Sequence, residues 1–420
     1  MAQQTSSLWK TLIRDRNTNR EYAFDINGVW YGPEAEVDHS VSSSLFEDFG
    51  IGNAMSASLS MSLYAEEIPR GAVIKRYIRL TNGVQTSEWL SKGVFYTNRR
   101  TEDDGQWSIE AYDAMLKADI TWTPRPGFAF PCTMEAAARD IAFSMGVELD
   151  ERNAYRPYIM QEYPDGEYTR RNALEDIAAA HGGNWHISDA GKLRLVPLIS
   201  FPSETSCLVT EHGAAILFGG TRILLSEPVN GQIGTAGGEK FYVGLDVTGF
   251  ENNGLRPPIT SVTLQVDADN SITAGAYSGL DLYALCPYAT QEMALTVLLQ
   301  VRGYQYQAFS ADAANIDPAA ELGDGVDVGG VYSVVSAIED NGDGYPGLSA
   351  PGEEELEDEY PYRSSANRGS SDDAASLRAL VQKWMGEMQI ELNSMKTAIQ
   401  ELTNKVNDIS DRVTRLEGGN

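Results

Sequence analysis

The chain has 420 residues, enough for two to four domains with ample core, and a formal net charge of −28. Its 32 Lys and Arg are set against 60 Asp and Glu, which excludes nonspecific binding of DNA or RNA, because phosphate affinity needs clustered cations. No run of about eighteen apolar residues occurs, so no membrane-spanning helix is expected.

The first residues carry Lys10, Arg14, Asp15 and Arg16 without an apolar core segment. No secretory signal is therefore expected, and the chain reads as made and folded in a cytoplasm. Cys132, Cys207 and Cys286 lie too far apart for a disulfide framework or a zinc site. They read as small buried hydrophobes in a reducing compartment.

Residues 8–117 read as strands separated by turns. Ile26-Asn27-Gly28-Val29-Trp30 is a hairpin signal, because Asn-Gly accepts the positive φ angles of a tight two-residue turn. From Ser56 to Leu63 small or polar residues alternate with Ala57, Leu59, Met61 and Leu63, the period of a half-buried strand. Val73 to Leu80, Ser87 to Tyr96 and Gln106 to Tyr112 supply three more strands. Such regular spacing predicts a sandwich or barrel, the first β-domain, over residues 1–118.

The pattern then changes period. Thr133 opens a helix through Met134, Ala137, Ala138, Ile141, Ala142 and Met145 that Gly146 ends. Thr169 to Ala180 is a second helix, closed by His181-Gly182-Gly183. The strands Asn184 to Ile187 and Leu193 to Pro197 follow around Asp189-Ala190-Gly191. Together these predict a small α/β domain over 119–202. Strands return at Val243 to Phe250, Ile259 to Val266 and Gly330 to Ile338, with a helix at Thr290 to Tyr304, predicting a second β-domain over 203–345. From residue 339 to 375 the run Asp340-Asn341-Gly342-Asp343-Gly344, two Pro and the acids Glu353 to Glu359 predict a flexible linker, its acidic part over 346–375.

Residues 376–420 carry a heptad pattern. Met385, Leu392, Ile399, Val406 and Val413 take the a positions, and Met388, Met395, Leu402, Ile409 and Leu416 the d positions. All ten seam positions are apolar while the flanks are polar, the signature of a coiled coil rather than a generic amphipathic helix. In a parallel coil a g residue faces the e residue of the neighbour's next heptad, so Glu391 meets Lys396 and Arg412 meets Glu417. Both pairs are of opposite charge, which predicts parallel, in-register strands. Strand number is less sharply set, since Leu392 at a and Ile409 at d blur the rule that favours dimers. The stretch Arg412-Val413-Thr414-Arg415-Leu416-Glu417 resembles the Arg-h-x-x-h-Glu pattern (h, apolar) of many three-stranded coils. That resemblance implies a homotrimer. A long helix folded back on the body is the alternative.

The order of these segments resembles the hub proteins at the tail tip or baseplate of tailed bacteriophages, including the N-terminal part of tail-associated lysins and many prophage tail proteins. The stretches that carry the resemblance are Phe49-Gly50-Ile51-Gly52-Asn53-Ala54, Ser87 through Tyr96, Glu110 through Lys117, Glu321-Leu322-Gly323-Asp324 and Glu357-Asp358-Glu359-Tyr360-Pro361-Tyr362. The resemblance spans roughly residues 10–365, and its order persuades more than any single motif. It implies a mainly β fold with two β-barrel-like hub domains, a small α/β domain and a C-terminal trimeric stalk. It further implies a ring that adapts a six-fold tail tube to a three-fold tip. The partners implied are further copies of the chain, a distal tail, tail-tube or tape-measure protein, and a fibre, spike or receptor-binding protein on the stalk. The implied location is the virion tail tip.

No catalytic constellation stands out. His181 and His186 are five apart with Gly182 and Gly183 between, which fits no helix-face metal pair, and His39 and His212 stand alone. Glu339, Asn341 and Asp343 alternate before Gly344 like the start of a calcium loop, but Ala350 stands where the closing Glu would be needed. No cofactor, metal or enzymatic activity is expected. Many hub relatives carry a peptidase or glycosidase after the body, whereas a linker and a coil follow here. A cell-wall hydrolase or carbohydrate-binding tip protein is the alternative reading, and a receptor-binding fibre protein a third.

Overall fold

The chain divides into two compact units, Met1–Glu354 and Glu355–Asn420. The computed structural model describes residues 5–164, 167–198, 217–218, 221–222 and 241–351, all within the first unit. The predicted coil and most of the acidic linker therefore lie outside the described residues.

Where strands alone were expected from residue 8, the structure begins with a helix, α1 (Ser7–Leu12). Ser6 caps it by accepting the Trp9 N–H at 3.1 Å, and Trp9 and Leu12 are buried on one side. Six residues are too short to show a helical period, so only the cap could have betrayed it. The hairpin forms where expected: β1 (Asn19–Ile26) pairs with β2 (Val29–Tyr31) through Asn27 and Gly28, at φ +50° and +89°. Then come β3 (Asp38–Ser44), β4 (Ser58–Tyr64), β5 (Val73–Thr81), β6 (Leu90–Asp103) and β7 (Gln106–Tyr112). In β4 Leu59, Met61 and Leu63 are buried and the serines between them face away, as the period-two pattern requires.

The α/β segment follows. Strand β8 (Cys132–Thr133) leads into α2 (Met134–Met145), capped by Thr133 and ended by Gly146 in the left-handed conformation at φ +71°. Strand β9 (Ile159–Met160) pairs with β8. Helix α3 (Arg170–His181) has a capping box of Thr169 and Asn172 and ends at Gly182, φ +64°. An antiparallel pair, β10 (Gly183–Ile187) and β11 (Leu193–Pro197), completes the segment.

The later part begins with a short pair, β12 (Leu217–Phe218) and β13 (Thr221–Arg222). It continues with β14 (Phe241–Thr248), β15 (Glu251–Leu255), β16 (Ile259–Gln265), β17 (Ser271–Gly275), β18 (Leu280–Leu285) and α4 (Gln291–Val301). The last strands are β19 (Gln307–Ala311), β20 (Ala313–Asn315), β21 (Gly325–Val328), β22 (Val331–Val334), β23 (Ala337–Asp340) and β24 (Gly347–Ala350).

The protein is mainly β, and its largest sheet has eleven strands in the order β15-β19-β24-β23-β3-β4-β7-β6-β5-β1-β2. Early and late parts of the chain therefore share one sheet. Two expectations are corrected here. No closed barrel is found among the described residues: the edge of β3 that would have to close the first β-domain is paired instead with β23, from Ser44↔Ala337 to Val41↔Asp340. The linker does not begin at residue 339 either. β23 and β24 pair with each other and with β3 and β19, so residues up to Ala350 belong to the body. Leu348 and Ala350 are buried, and ladder bonds on both sides outweigh a Gly- and Asp-rich turn.

A four-stranded sheet (β20-β14-β21-β22), a three-stranded sheet (β17-β16-β18) carrying α4, and the pairs β8-β9, β10-β11 and β12-β13 make up the rest of the described strands. One large hydrophobic core runs from the α/β segment into this later part, and a second lies beneath the first strands. No described helix is long and apolar enough to cross a membrane.

Candidate functional site

The seam residues Met385, Met388, Leu392, Met395, Ile399, Leu402, Val406, Ile409, Val413 and Leu416, with Glu391, Lys396, Arg412 and Glu417, lie outside the described residues. Within the body, chemistry gathers at one place, a buried charged junction where the early strands, the α/β segment and the late strands meet.

Its first part is built on β5. The inward face of that strand carries Ile74, Ile78 and Leu80, and Arg76 takes the slot between them, 1% exposed. A cation buried so deeply needs a counter-charge. Asp340, at the end of β23, supplies it by accepting from the Arg76 Nη2. Asp340 also accepts from the Tyr22 hydroxyl at 3.1 Å and from the Gly342 N–H at 3.0 Å. Burial would raise its pKa, but the charge and hydrogen bond of Arg76 outweigh that and hold the carboxyl well below the usual carboxylate range. Tyr22 lies under the guanidinium, 4.6 Å from ring centroid to Cζ. Burial and the Asp340 charge push its hydroxyl up to about 12.

His39 of β3 completes this part, with Nε2 at 3.2 Å from Arg76 Nη2. Burial first, and the Arg76 charge second, lower its pKa to about 4, so the ring is neutral and Nε2 accepts. A Cβ on Gly342 would sit 2.4 Å from the His39 ring, so only glycine fits there, at φ +74°.

The second part joins the α/β segment to the rest. Glu321, 5% exposed, accepts from Arg152 at 2.5 Å and from Arg194 at 3.0 Å. It also accepts the Asp189 N–H at 3.2 Å. Burial would raise Glu321, yet the two arginines prevail and lower it. Arg152 is shared with Asp150 at 2.7 Å, whose pKa is likewise held down. Lys92 of β6 reaches Asp189 at 2.5 Å, and the Gly93 N–H donates to the Asp189 carbonyl at 3.1 Å. Burial raises Asp189, against the opposing charge of Lys92. Beside them His186 of β10 is buried, and burial lowers it to about 3.

These two parts enclose a cavity of about 60 Å³, bordered by Arg76, Lys92, His186, Asp189, Glu321 and Asp340. Asp113 also lines it; burial raises its carboxyl to about 7, although it accepts the Ala57 and Met115 N–H groups at 2.9 Å each. Arg76, Lys92, Arg152 and Arg194 thus pair off with Asp340, Asp189, Asp150 and Glu321. Chemically this arrangement ties segments together; each charge is turned towards another side chain.

The stretches read as motifs line the same seams. Phe49 stacks on Tyr306, centroids 4.1 Å apart. The Gly52 N–H donates to the Gly183 carbonyl at 2.8 Å, and the Trp185 N–H to that of Asn53 at 2.7 Å. Lys92 and Glu321 fall in two other such stretches. Of the four histidines, His181 is held at the end of α3, its Nδ1 donating to the Ile177 carbonyl at 2.8 Å and Nε2 accepting the Arg156 N–H at 3.1 Å. His39 and His186 belong to the junction, and His212 lies outside the described residues. Cys286 is buried, Cys132 half-buried, and both carry free thiols; Cys207 is not among the described residues. No group of three or more metal-ligating side chains is found among the described residues. The calcium-like run Glu339 to Gly344 covers the end of β23 and the start of the turn to β24, and its Asp340 is committed to Arg76.

The sequence reading missed the charged junction. Its one legible signal was Arg76 in an apolar slot of β5. The partners lie far off along the chain, Asp340 at 264 residues and Arg194 and Glu321 at 127 from each other.

No known family profile matches the chain, and no curated protein does. Among solved structures it is similar to the 43 kDa tail protein of prophage MuSo2 from Shewanella oneidensis, with 12% identity, a TM-score of 0.44, and coverage of 79% of this chain and 96% of that one. The tail protein from Neisseria meningitidis MC58 gives 10%, 0.42, 80% and 98% in the same order. Prophage tail protein gp18 from Listeria monocytogenes EGD-e gives 12%, 0.42, 80% and 95%. Scores of this size mark a partial likeness.

Proposed function

We propose that the chain is a structural component of a phage tail tip, a homotrimeric hub that adapts a six-fold tail tube to a three-fold tip. The observation that carries this is the heptad seam, ten apolar positions from Met385 to Leu416 with oppositely charged flank pairs, since such a stripe needs partner helices to bury it. The order of segments in the sequence supports the hub. So does the charged junction, whose groups engage one another and tie the segments of the body together. In this reading residues 1–118, 119–202 and 203–350 are the hub segments, the acidic stretch from there to 375 is a spacer, and 376–420 is the stalk. The body would dock on a distal tail, tail-tube or tape-measure protein, and the stalk would carry a fibre, spike or receptor-binding protein.

Mass measurement in solution at micromolar concentration tests this. The full chain is expected as a trimer, and a chain ending at residue 375 as a smaller assembly or a monomer. A monomeric full chain overturns the reading. Release of fragments from host peptidoglycan by the purified protein would instead favour a cell-wall hydrolase.

A further inference from the structure

The junction contains two buried polar atoms with no protein partner, Arg76 Nε and His186 Nε2. Both residues border the 60 Å³ cavity, and they are 1% and 4% exposed. Leaving either atom unsatisfied is costly, so each calls for a partner that the protein itself does not supply.

Chemistry fixes what that partner must do. Arg76 Nε carries a hydrogen and can only donate. His186 Nδ1 lies 3.2 Å from the Ile187 carbonyl, an acceptor, so Nδ1 bears the ring proton. The neutral ring then presents a lone pair at Nε2 and can only accept there. One atom needs an acceptor and the other a donor. The charged walls are already matched, Lys92 with Asp189 at 2.5 Å and Glu321 with Arg152 and Arg194 at 2.5 and 3.0 Å, so they call for no ion. A cavity needs about 10–15 Å³ to hold one water, and this volume exceeds that several times over.

We propose that this cavity is a built hydration site, whose ordered waters accept from Arg76 Nε–H and donate to His186 Nε2. The waters close the polar network between β5 of the early strands and β10 of the α/β segment, with Glu321 and Asp340 of the late part alongside. Water suits both atoms because it accepts and donates at once, so a short chain of molecules can serve both ends. The site joins segments distant in sequence and does not depend on the oligomeric state of the protein.

A crystal structure of the full chain, at a resolution that reveals ordered solvent, tests the proposal. The expected result is a water oxygen at about 2.7–3.2 Å from Arg76 Nε, another at that distance from His186 Nε2, and continuous solvent between them. His186→Leu is expected to lose the water at its own position and keep the one at Arg76. Absence of ordered solvent at both atoms of the unmodified protein overturns the proposal. So does an anomalous peak within the cavity of bromide-soaked crystals, which would identify an anion site. If the variant fails to fold, the map of the unmodified protein decides alone.

Discussion

Arg76 sits where the alternation of β5 asks for an apolar side chain, so its replacement separates packing from charge. Arg76→Leu keeps the slot filled but strands Asp340, which is 9% exposed. Breaking a buried pair from one side costs about 3–5 kcal/mol, whereas replacing both partners is far milder. Urea unfolding should therefore show a loss of about 3–5 kcal/mol for Arg76→Leu, most of it recovered in Arg76→Leu/Asp340→Leu. Equal losses for single and double variants would mean that the pair is not the source. The titrating groups pull in two directions. His39 and His186 have folded pKa values lowered from 6.5 to about 4 and about 3, so their contribution is complete above pH 6.5 and drains as pH falls through those values. Asp113 and Asp176 are raised by burial from 3.8 to about 7, so their contribution is complete below pH 3.8 and is lost as pH rises to 7. Asp176 accepts the Tyr168 hydroxyl, a bond that an amide oxygen can also accept. Asp176→Asn should therefore flatten the fall in stability between about pH 4 and about pH 7 in urea titrations. Parallel pH curves for the two proteins would exclude Asp176 as the cause.

At the scale of elements, local chemistry was legible where it was strong. Thr133 and Gly146 bracket α2, Thr169 and Gly182 bracket α3, and Asn27-Gly28 turns the first hairpin, each as read from sequence. What failed was long-range pairing. No local pattern says that β23 takes the free edge of β3, and that pairing leaves an open sheet where a closed barrel was expected. Nor does composition show that a turn rich in Asp and Gly returns as β24, because neighbouring strands supply its order. The site followed the same rule: Arg76 was anomalous in its strand, but nothing local named Asp340 as its partner. Gly52 was quoted as part of a motif without a physical role, and the structure gives it one. At φ +81° a Cβ would lie 3.2 Å from Ala179 of α3 and 3.4 Å from Ala284 of β18. Gly52→Ala should cost about 1–2 kcal/mol for the left-handed backbone, with some crowding added. Amide hydrogen exchange should place the loosened bonds at residue 52 and at Trp185, whose N–H groups donate to the Gly183 and Asn53 carbonyls. Unchanged exchange at both would show that the loop does not clamp the α/β segment.

At the scale of the whole molecule, strand direction in the stalk can be tested without knowing strand number. In a parallel coil Glu391 faces Lys396 of the next chain at every interface, whereas in an antiparallel coil g residues face g and e residues face e. Exposed pairs contribute only about 0.2–1 kcal/mol each, but a trimer repeats the pair three times, and a swap adds repulsion as it removes attraction. Glu391→Lys should thus weaken assembly by roughly 1–2 kcal/mol per trimer, read as a rise in the concentration needed to keep the full chain associated. Glu391→Lys/Lys396→Glu restores opposite charges across a parallel interface and should return that concentration to its original value. In an antiparallel coil Glu391 and Lys396 do not face each other, so exchanging their charges restores no contact and rescue would be absent. The effect should shrink in high salt, because these charges are exposed and screening acts over about 8–10 Å at ordinary ionic strength. Rescue that fades with salt would identify in-register, parallel strands; no rescue at low salt would remove the basis for a three-fold stalk.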